Sequence, residues 1–238
     1  MKPTIHAYGD TALRVSFHPD TAAEDVRKLT LLLHQHWPQG VREWVPAFHA
    51  VTIFYDPLTC SLKELTADVE QLLHRQSETL EQDPVCWELP VCYGGACGPD
   101  LTGAAARLGI TEEELIHKHI KPVYAVRMLG FLPGFPYLEG MDATIALPRH
   151  AEPRRSVPAG SVGIAGSQTG IYPLASPGGW QLIGRTPVRL YDKLREPSVL
   201  LEAGDMVTFK PVSEAEFSTI KEEIEAGTYN YRKGARRP

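Results

Sequence analysis

The sequence predicts a small α+β unit over residues 1–83 followed by a mainly-β unit, a barrel or sandwich, over residues 84–238. Three observations lead there. Apolar residues alternate with polar ones in short runs, and those runs are separated by helical stripes that open on capping sequences. The texture changes near Pro84, where a polar stretch from His74 to Asp83 ends. Residues 130–187 then hold 10 of the chain's 20 glycines and 8 of its 20 prolines. Long helices do not survive that density, because glycine adds backbone entropy and proline removes amide donors, whereas short strands joined by tight turns do.

The elements follow in order. Leu13, Val15 and Phe17 alternate as a half-buried strand requires. Thr21-x-x-Glu24 reads as a capping box, and Val26, Leu29, Leu32 and Leu33 follow at helical spacing. Val51, Ile53 and Tyr55 form a second strand that Asp56-Pro57 ends. Ser61-x-x-Glu64 then caps a helix with Leu65, Val69, Leu72 and Leu73 on one stripe. The second unit opens with Val85, Trp87, Leu89 and Val91 at period two, broken by Gly94-Gly95. Asp100 is placed as the cap of a short helix with Leu101, Ala105 and Leu108. Thr111-x-x-Glu114 caps another that Pro122 stops, and Val123 to Met128 reads as a buried strand. Val188, Leu190, Val199 and Leu201 are expected to supply further strands, as are Val207 and Phe209, before Ser213-x-x-Glu216 starts a last helix with Phe217, Ile220 and Ile224.

Composition excludes several function classes. The net charge of −5 argues against a broad nucleic-acid surface, and the basic residues Arg232, Lys233, Arg236 and Arg237 read as a solvated end. No apolar stretch approaches a membrane span, and the first residues lack the apolar region of a targeting peptide, so a cytoplasmic location is expected. The cysteines, Cys60, Cys86, Cys92 and Cys97, form no Cys-x-x-Cys pair and read as reduced thiols. Cys92 and Cys97, which flank Gly94-Gly95, offer the alternative of a redox pair or metal ligands. There is no Gly-x-x-x-x-Gly-Lys-Ser/Thr phosphate loop. Gly163 to Gly170 also fails the Gly-x-Ser-x-Gly nucleophile pattern. His117 and His119, two apart on a helix, point to different faces and read as satisfied or solvated rather than as a metal pair.

What chemistry remains lies in the glycine- and proline-rich stretch. Gly130 to Tyr137 sets aromatic side chains on a stiff backbone, and Pro148-Arg149-His150 with Pro153-Arg154-Arg155 gathers cationic and titratable groups. Pro158 to Ser161 and Gly166 to Gly170 offer bare backbone amides, and Ser176 to Trp180 ends on a large aromatic. Guanidinium forks suit carboxylates and phosphates, and glycine turns admit a ligand to backbone N–H groups, so a small anion suits this inventory. Two other readings fit it equally at this point: turns that merely shape a barrel beneath solvated arginines, and a docking surface for another protein.

Gly130-Phe131-Leu132-Pro133-Gly134-Phe135-Pro136-Tyr137-Leu138, the run Ser156 to Gly166, Gln168 to Pro173 and Ser176 to Pro187 closely resemble, in order, the motifs of the PxpB/KipI family. That family was once labelled allophanate hydrolase subunit 1, and it is similar to one half of the carboxyltransferase domain of urea carboxylase. Gly9-Asp10-x-Ala12 and Pro90 to Gly95 extend the resemblance more weakly toward the N-terminus. It implies an α+β domain followed by a cyclophilin-like barrel. It further implies a subunit, inactive alone, of an ATP-dependent 5-oxoprolinase that also contains PxpC-like and PxpA-like partners and converts 5-oxo-L-proline to L-glutamate. No metal is expected for this chain. KipI-like members instead bind a sporulation histidine kinase and block its autophosphorylation, and a urea- or allophanate-related carboxyltransferase subunit is a third role. Carried over by position, Arg149 and Arg154 are the expected anion contacts, Gln168 and Thr169 polar contacts, and Tyr172 and Trp180 the wall, with His150 the next candidate. Arg154→Ala is accordingly expected to cost activity far more than stability.

Overall fold

The structure, a computed structural model, describes residues 2–75 and 84–231. Residues 76–83 of the polar stretch before Pro84, and the basic residues from Arg232 onward, lie outside the described residues. The chain divides into two compact units, residues 1–83 and 84–238.

In the first unit, strands β1 (Thr4–Ala7) and β2 (Ala12–Ser16) precede helix α1 (Ala22–His36). Strands β3 (Val41–Pro46) and β4 (Ala50–Tyr55) then lead to helix α2 (Leu62–His74). The sheet is antiparallel in the order β1-β2-β4-β3. Its two central strands carry the alternation visible in the sequence. Leu13, Val15, Val51 and Ile53 are buried against Val26, Leu29, Leu33, Leu65 and Val69 of the helices. The edge strands β1 and β3 escape a pattern-based reading because exposed residues interrupt their apolar ones: Thr4, His6 and Ala7 in β1, and Arg42, Glu43 and Val45 in β3. Ser61 and Glu64 form the expected reciprocal capping box. Thr21 does not, because its backbone sits in the αR region and its hydroxyl makes no cap bond.

The second unit is built on a closed seven-stranded barrel, which decides between barrel and sandwich. Its elements are β5 (Cys86–Tyr93), helices α3 (Leu101–Leu108) and α4 (Glu112–Ile120), β6 (Tyr124–Leu129), β7 (Pro136–Glu139), β8 (Arg154–Val157), β9 (Ser161–Ala165), β10 (Gln168–Ile171), β11 (Ser176–Gly178), β12 (Gln181–Arg185), β13 (Met206–Pro211) and helix α5 (Glu214–Glu225). Around the barrel the order is β10-β7-β6-β13-β5-β12-β9, antiparallel except for the parallel β13–β5 pair. β8 and β11 pair separately. Closure removes the exposed edges that so many short strands would otherwise present. The expected strands at Val188–Leu190 and Val199–Leu201 are not strands. A single bridge, Tyr191 to Val199, joins them, and Val188, Leu190 and Leu201 are buried as irregular chain against the core.

Two apolar clusters fill this unit. The larger, with Leu89, Val91, Leu138, Val162, Ile164 and Val207 among its members, fills the barrel. The smaller packs Phe135, Tyr172 and Trp180 edge to face beside Val157 and Leu182, with the Phe135 ring 5.2 Å from Tyr172 and 5.4 Å from Trp180. Gly178 permits that packing, since a Cβ there would lie 2.3 Å from the Tyr172 hydroxyl oxygen.

Candidate functional site

Two of the residues the sequence singles out, His150 and Arg154, meet around one carboxylate whose expected task was a different one. Asp100 precedes α3 but makes no cap bond. Its side chain turns toward the loop before β8 and toward β12 instead. Arg154 Nη2 donates to Oδ1 at 2.5 Å, the Leu182 N–H donates to Oδ2 at 2.7 Å, and His150 Nε2 lies 3.2 Å from Oδ2. A carboxylate only accepts, so this contact assigns the proton to His150 Nε2 and leaves Nδ1 as the unprotonated nitrogen when the ring is neutral. Burial pushes the Asp100 carboxyl up. The donors from Arg154, the Leu182 amide and His150 outweigh it and hold the group below the usual carboxylate range.

The local chain explains the convergence. The Asp100 N–H donates to the Leu182 carbonyl, which ties the start of α3 to β12. The His150 N–H donates to the Gly179 carbonyl, so the 148–154 loop is held to the turn before β12. Gln181, buried, donates its Nε2 to the Pro148 carbonyl at 2.8 Å and closes the same loop from below.

Arg154 is therefore not one of the solvated arginines of the barrel-turn alternative. Its Nη2 is committed to Asp100, while its Nη1 is buried and, among the described residues, has no hydrogen-bond partner. Arg149 is exposed, with its guanidinium carbon 5.9 Å from the centre of the Trp180 ring. Burial raises the hydroxyls of Tyr137 and Tyr172, and the positive charge of Arg149 opposes that rise at both. The arrangement is two guanidinium groups and an imidazole beside an aromatic wall of Tyr172 and Trp180. It suits one small anion with an apolar body.

The remaining expected contacts fare differently. Thr169 is fully buried inside the barrel. Its hydroxyl donates to the Gly163 carbonyl at 3.0 Å and meets His119 Nε2 at 2.9 Å, so it holds the core rather than a ligand on the outer face. Gln168, half-buried, stands opposite Ala165 at the start of β10 and is not among the residues bonded to Asp100. Tyr172 and Trp180 are almost wholly buried and act as the floor of the cluster more than its face. The residues missed were Asp100 and Gln181. The only signal for Asp100 was an aspartate before a helix, which reads first as a cap. His119 is the satisfied histidine expected, bonded at Nδ1 to the Tyr93 hydroxyl at 2.8 Å and stacked on Phe209.

Among the described residues no three His, Cys, Asp or Glu side chains converge as metal ligands, and no described helix is long and apolar enough to cross a membrane.

Residues 3–201 match the family described as carboxyltransferase domain, subdomain C and D, which sets the class of the protein. The chain is 41% identical to the 5-oxoprolinase B subunit of Bacillus subtilis (strain 168) over 92% of its own length and 97% of that protein's. It is also 41% identical to the 5-oxoprolinase B subunit of Escherichia coli O157:H7 over 87% of its own length and 94% of that protein's. The K. lactis urea amidolyase structure shares the fold, with a TM-score of 0.78 over 97% of this chain and 16% of that one, at 21% identity. The chain belongs to the carboxyltransferase subdomain C and D family, on the branch of the 5-oxoprolinase B subunits.

Proposed function

We propose that this chain is the B subunit of an ATP-dependent 5-oxoprolinase and that the Asp100 cluster is its contribution to anion binding in the complex. The observation that carries the reading is identity of 41% to 5-oxoprolinase B subunits along nearly the full length of both chains. The lactam of 5-oxo-L-proline resists water because its amide is resonance-stabilised, and phosphorylation of the lactam oxygen by ATP weakens that resonance. Substrate carboxylate and phosphorylated lactam are both anionic. Donors fixed in place before charge develops stabilise it most, because nothing has to reorganise during the reaction.

Arg154 meets that requirement. Asp100 fixes its fork, and the buried Nη1 has no hydrogen-bond partner among the described residues. Arg149, laid toward the Trp180 ring, supplies a second positive group with no carboxylate of its own among the described residues. His150, oriented through Nε2 by Asp100, presents Nδ1 as acceptor for a proton from the attacking water. Asp100 touches no reacting atom on this reading and is a positioning residue. The two compact units are then an α+β domain and a cyclophilin-like barrel domain. The partners are PxpC-like and PxpA-like proteins, ATP serves the complex, and the chain alone is inactive in the cytoplasm.

Reconstitution tests the reading. Purified with its two partners, the chain is expected to support ATP-dependent formation of L-glutamate from 5-oxo-L-proline. An inactive mixture, with the chain alone lowering autophosphorylation of a histidine kinase, would replace it with the inhibitor role.

A further inference from the structure

Two thiols close to the Asp100 cluster take no part in the reaction proposed above. Side chains along β5 alternate between the two faces of the barrel wall. Val91 is buried in the barrel core and Tyr93 reaches His119 there, so Cys92 between them points outward. It is nevertheless only 3% exposed, because the chain after β5 folds back over it. Gly94 and Gly95 take φ of +70° and +51°, a left-handed path that favours glycine. The N–H groups of Cys97 and Gly98 then both return to the Gly94 carbonyl, at 3.0 and 2.7 Å. This reversal turns the chain at Cys97 back toward Cys92, whose thiol is influenced by the neighbouring Cys97 thiol. Cys97 is the partly exposed member of the pair. The turn has no room to retreat: a Cβ on Gly98 would lie 2.0 Å from the Ile183 carbonyl oxygen, and one on Gly95 would lie 3.3 Å from Glu214 Oε1.

We propose that Cys92 and Cys97 are a modification site, a dithiol that a peroxide converts to an intramolecular disulfide and that a thiol reductant restores. In the first step the Cys97 thiolate attacks one oxygen of hydrogen peroxide. The O–O bond breaks, Cys97 becomes a sulfenic acid, and the released hydroxide takes up the thiol's proton as water. In the second step the Cys92 sulfur attacks the Cys97 sulfur, the S–O bond breaks, and the hydroxyl leaves with the Cys92 proton as a second water. The two sulfurs together lose two electrons and the peroxide gains them. The order follows from position. Cys97 meets solvent first, whereas burial and the neighbouring Cys97 thiol push Cys92 up to about 12 and keep it protonated until a sulfenic acid stands beside it. The site is coupled to the cluster through the chain itself, since Asp100 lies three residues beyond Cys97 and is bonded to β12 through its own N–H.

The test is differential alkylation of the intact chain before and after hydrogen peroxide, read by peptide mass without reduction. The peptide spanning Cys92 and Cys97 is expected to become lighter by two hydrogens and to lose both alkylation sites, while Cys60 and Cys86 remain alkylatable and dithiothreitol reverses the change. Cys92→Ser is expected to leave Cys97 as a sulfenic acid that a 1,3-dione labels, and Cys97→Ser to remove peroxide sensitivity from Cys92. Full alkylation of both thiols after peroxide, or a disulfide joining either to Cys60, Cys86 or a second chain, would overturn the proposal. Both results are read on the wild-type protein and do not depend on a variant folding.

Discussion

The buried imidazole of His119 makes stability depend on pH in a window where the surface carboxylates are silent. Thr169 Oγ1 donates to the Gly163 carbonyl, so it accepts from His119 Nε2–H, and Nδ1 is left to accept the Tyr93 O–H. Both ring nitrogens are thus satisfied in the neutral form, and complete burial pushes the folded-state value down from 6.5 to about 3. Between those values the unfolded chain binds a proton that the folded chain refuses. The stabilisation is therefore complete above the unfolded value and is lost progressively as pH falls below it. At about pH 5 the gap from the unfolded value is roughly 1.5 pH units, which at about 1.4 kcal/mol per unit gives a loss of about 2 kcal/mol relative to pH 7.5. The lowered carboxyl of Asp100 adds nothing there, because its contribution falls only below about its unfolded value of 3.8. Urea unfolding of the wild type and of His119→Gln at the two pH values isolates the effect, since glutamine accepts and donates in the same two directions but does not titrate. The wild type is expected to lose about 2 kcal/mol more than the variant on acidification, a shift of about 4–8 °C in Tm. Equal losses in both proteins, at equal m-values, would refute the neutral buried strut.

Three further outcomes follow from the packing. Arg154→Ala removes a charge-assisted donor from a largely buried carboxylate, so it should cost about 2 kcal/mol in urea unfolding as well as activity, contrary to the expectation from sequence alone. Thr169→Val should leave the turnover of the reconstituted complex within about twofold while lowering stability by about 2 kcal/mol, because the His119 Nε2–H loses its acceptor. Gly98→Ala drives a Cβ to 2.0 Å from a backbone oxygen that cannot rotate away, and should cost about 3 kcal/mol or prevent folding of the second unit, read by thermal denaturation.

How far the sequence could be read depended on whether a residue's surroundings were local. Leu13, Val15, Val51 and Ile53 show their alternation because one face of each strand is dry. The strand Thr4–Ala7 shows none because it lies exposed at an edge. Glycine and proline density announced a β-rich second unit, but closure into a barrel depends on pairings distant in sequence, β10 with β7 and β13 with β5, which no local pattern encodes. Val188, Leu190 and Leu201 look like strand residues because burial, not pairing, is what apolar identity reports. At the site, Arg149 and Arg154 were legible as cations in a glycine-rich stretch. The role of Asp100 was not, because its partners lie 50, 54 and 82 positions away in sequence. Thr169 misled for the opposite reason: the motif that carries it is long and specific, yet its hydroxyl faces inward.

The most direct measurement is kcat/KM for 5-oxo-L-proline of the reconstituted complex carrying Asp100→Asn in this chain, with folding checked by circular dichroism. The amide keeps the size of the side chain but no longer holds Arg154 and His150 as a carboxylate does. A fall of about a hundredfold with the complex still assembled is the expected result. Turnover within about twofold of wild type by a folded, assembled variant would contradict it, because an active site that ignores the loss of its central carboxylate cannot be organised around Asp100.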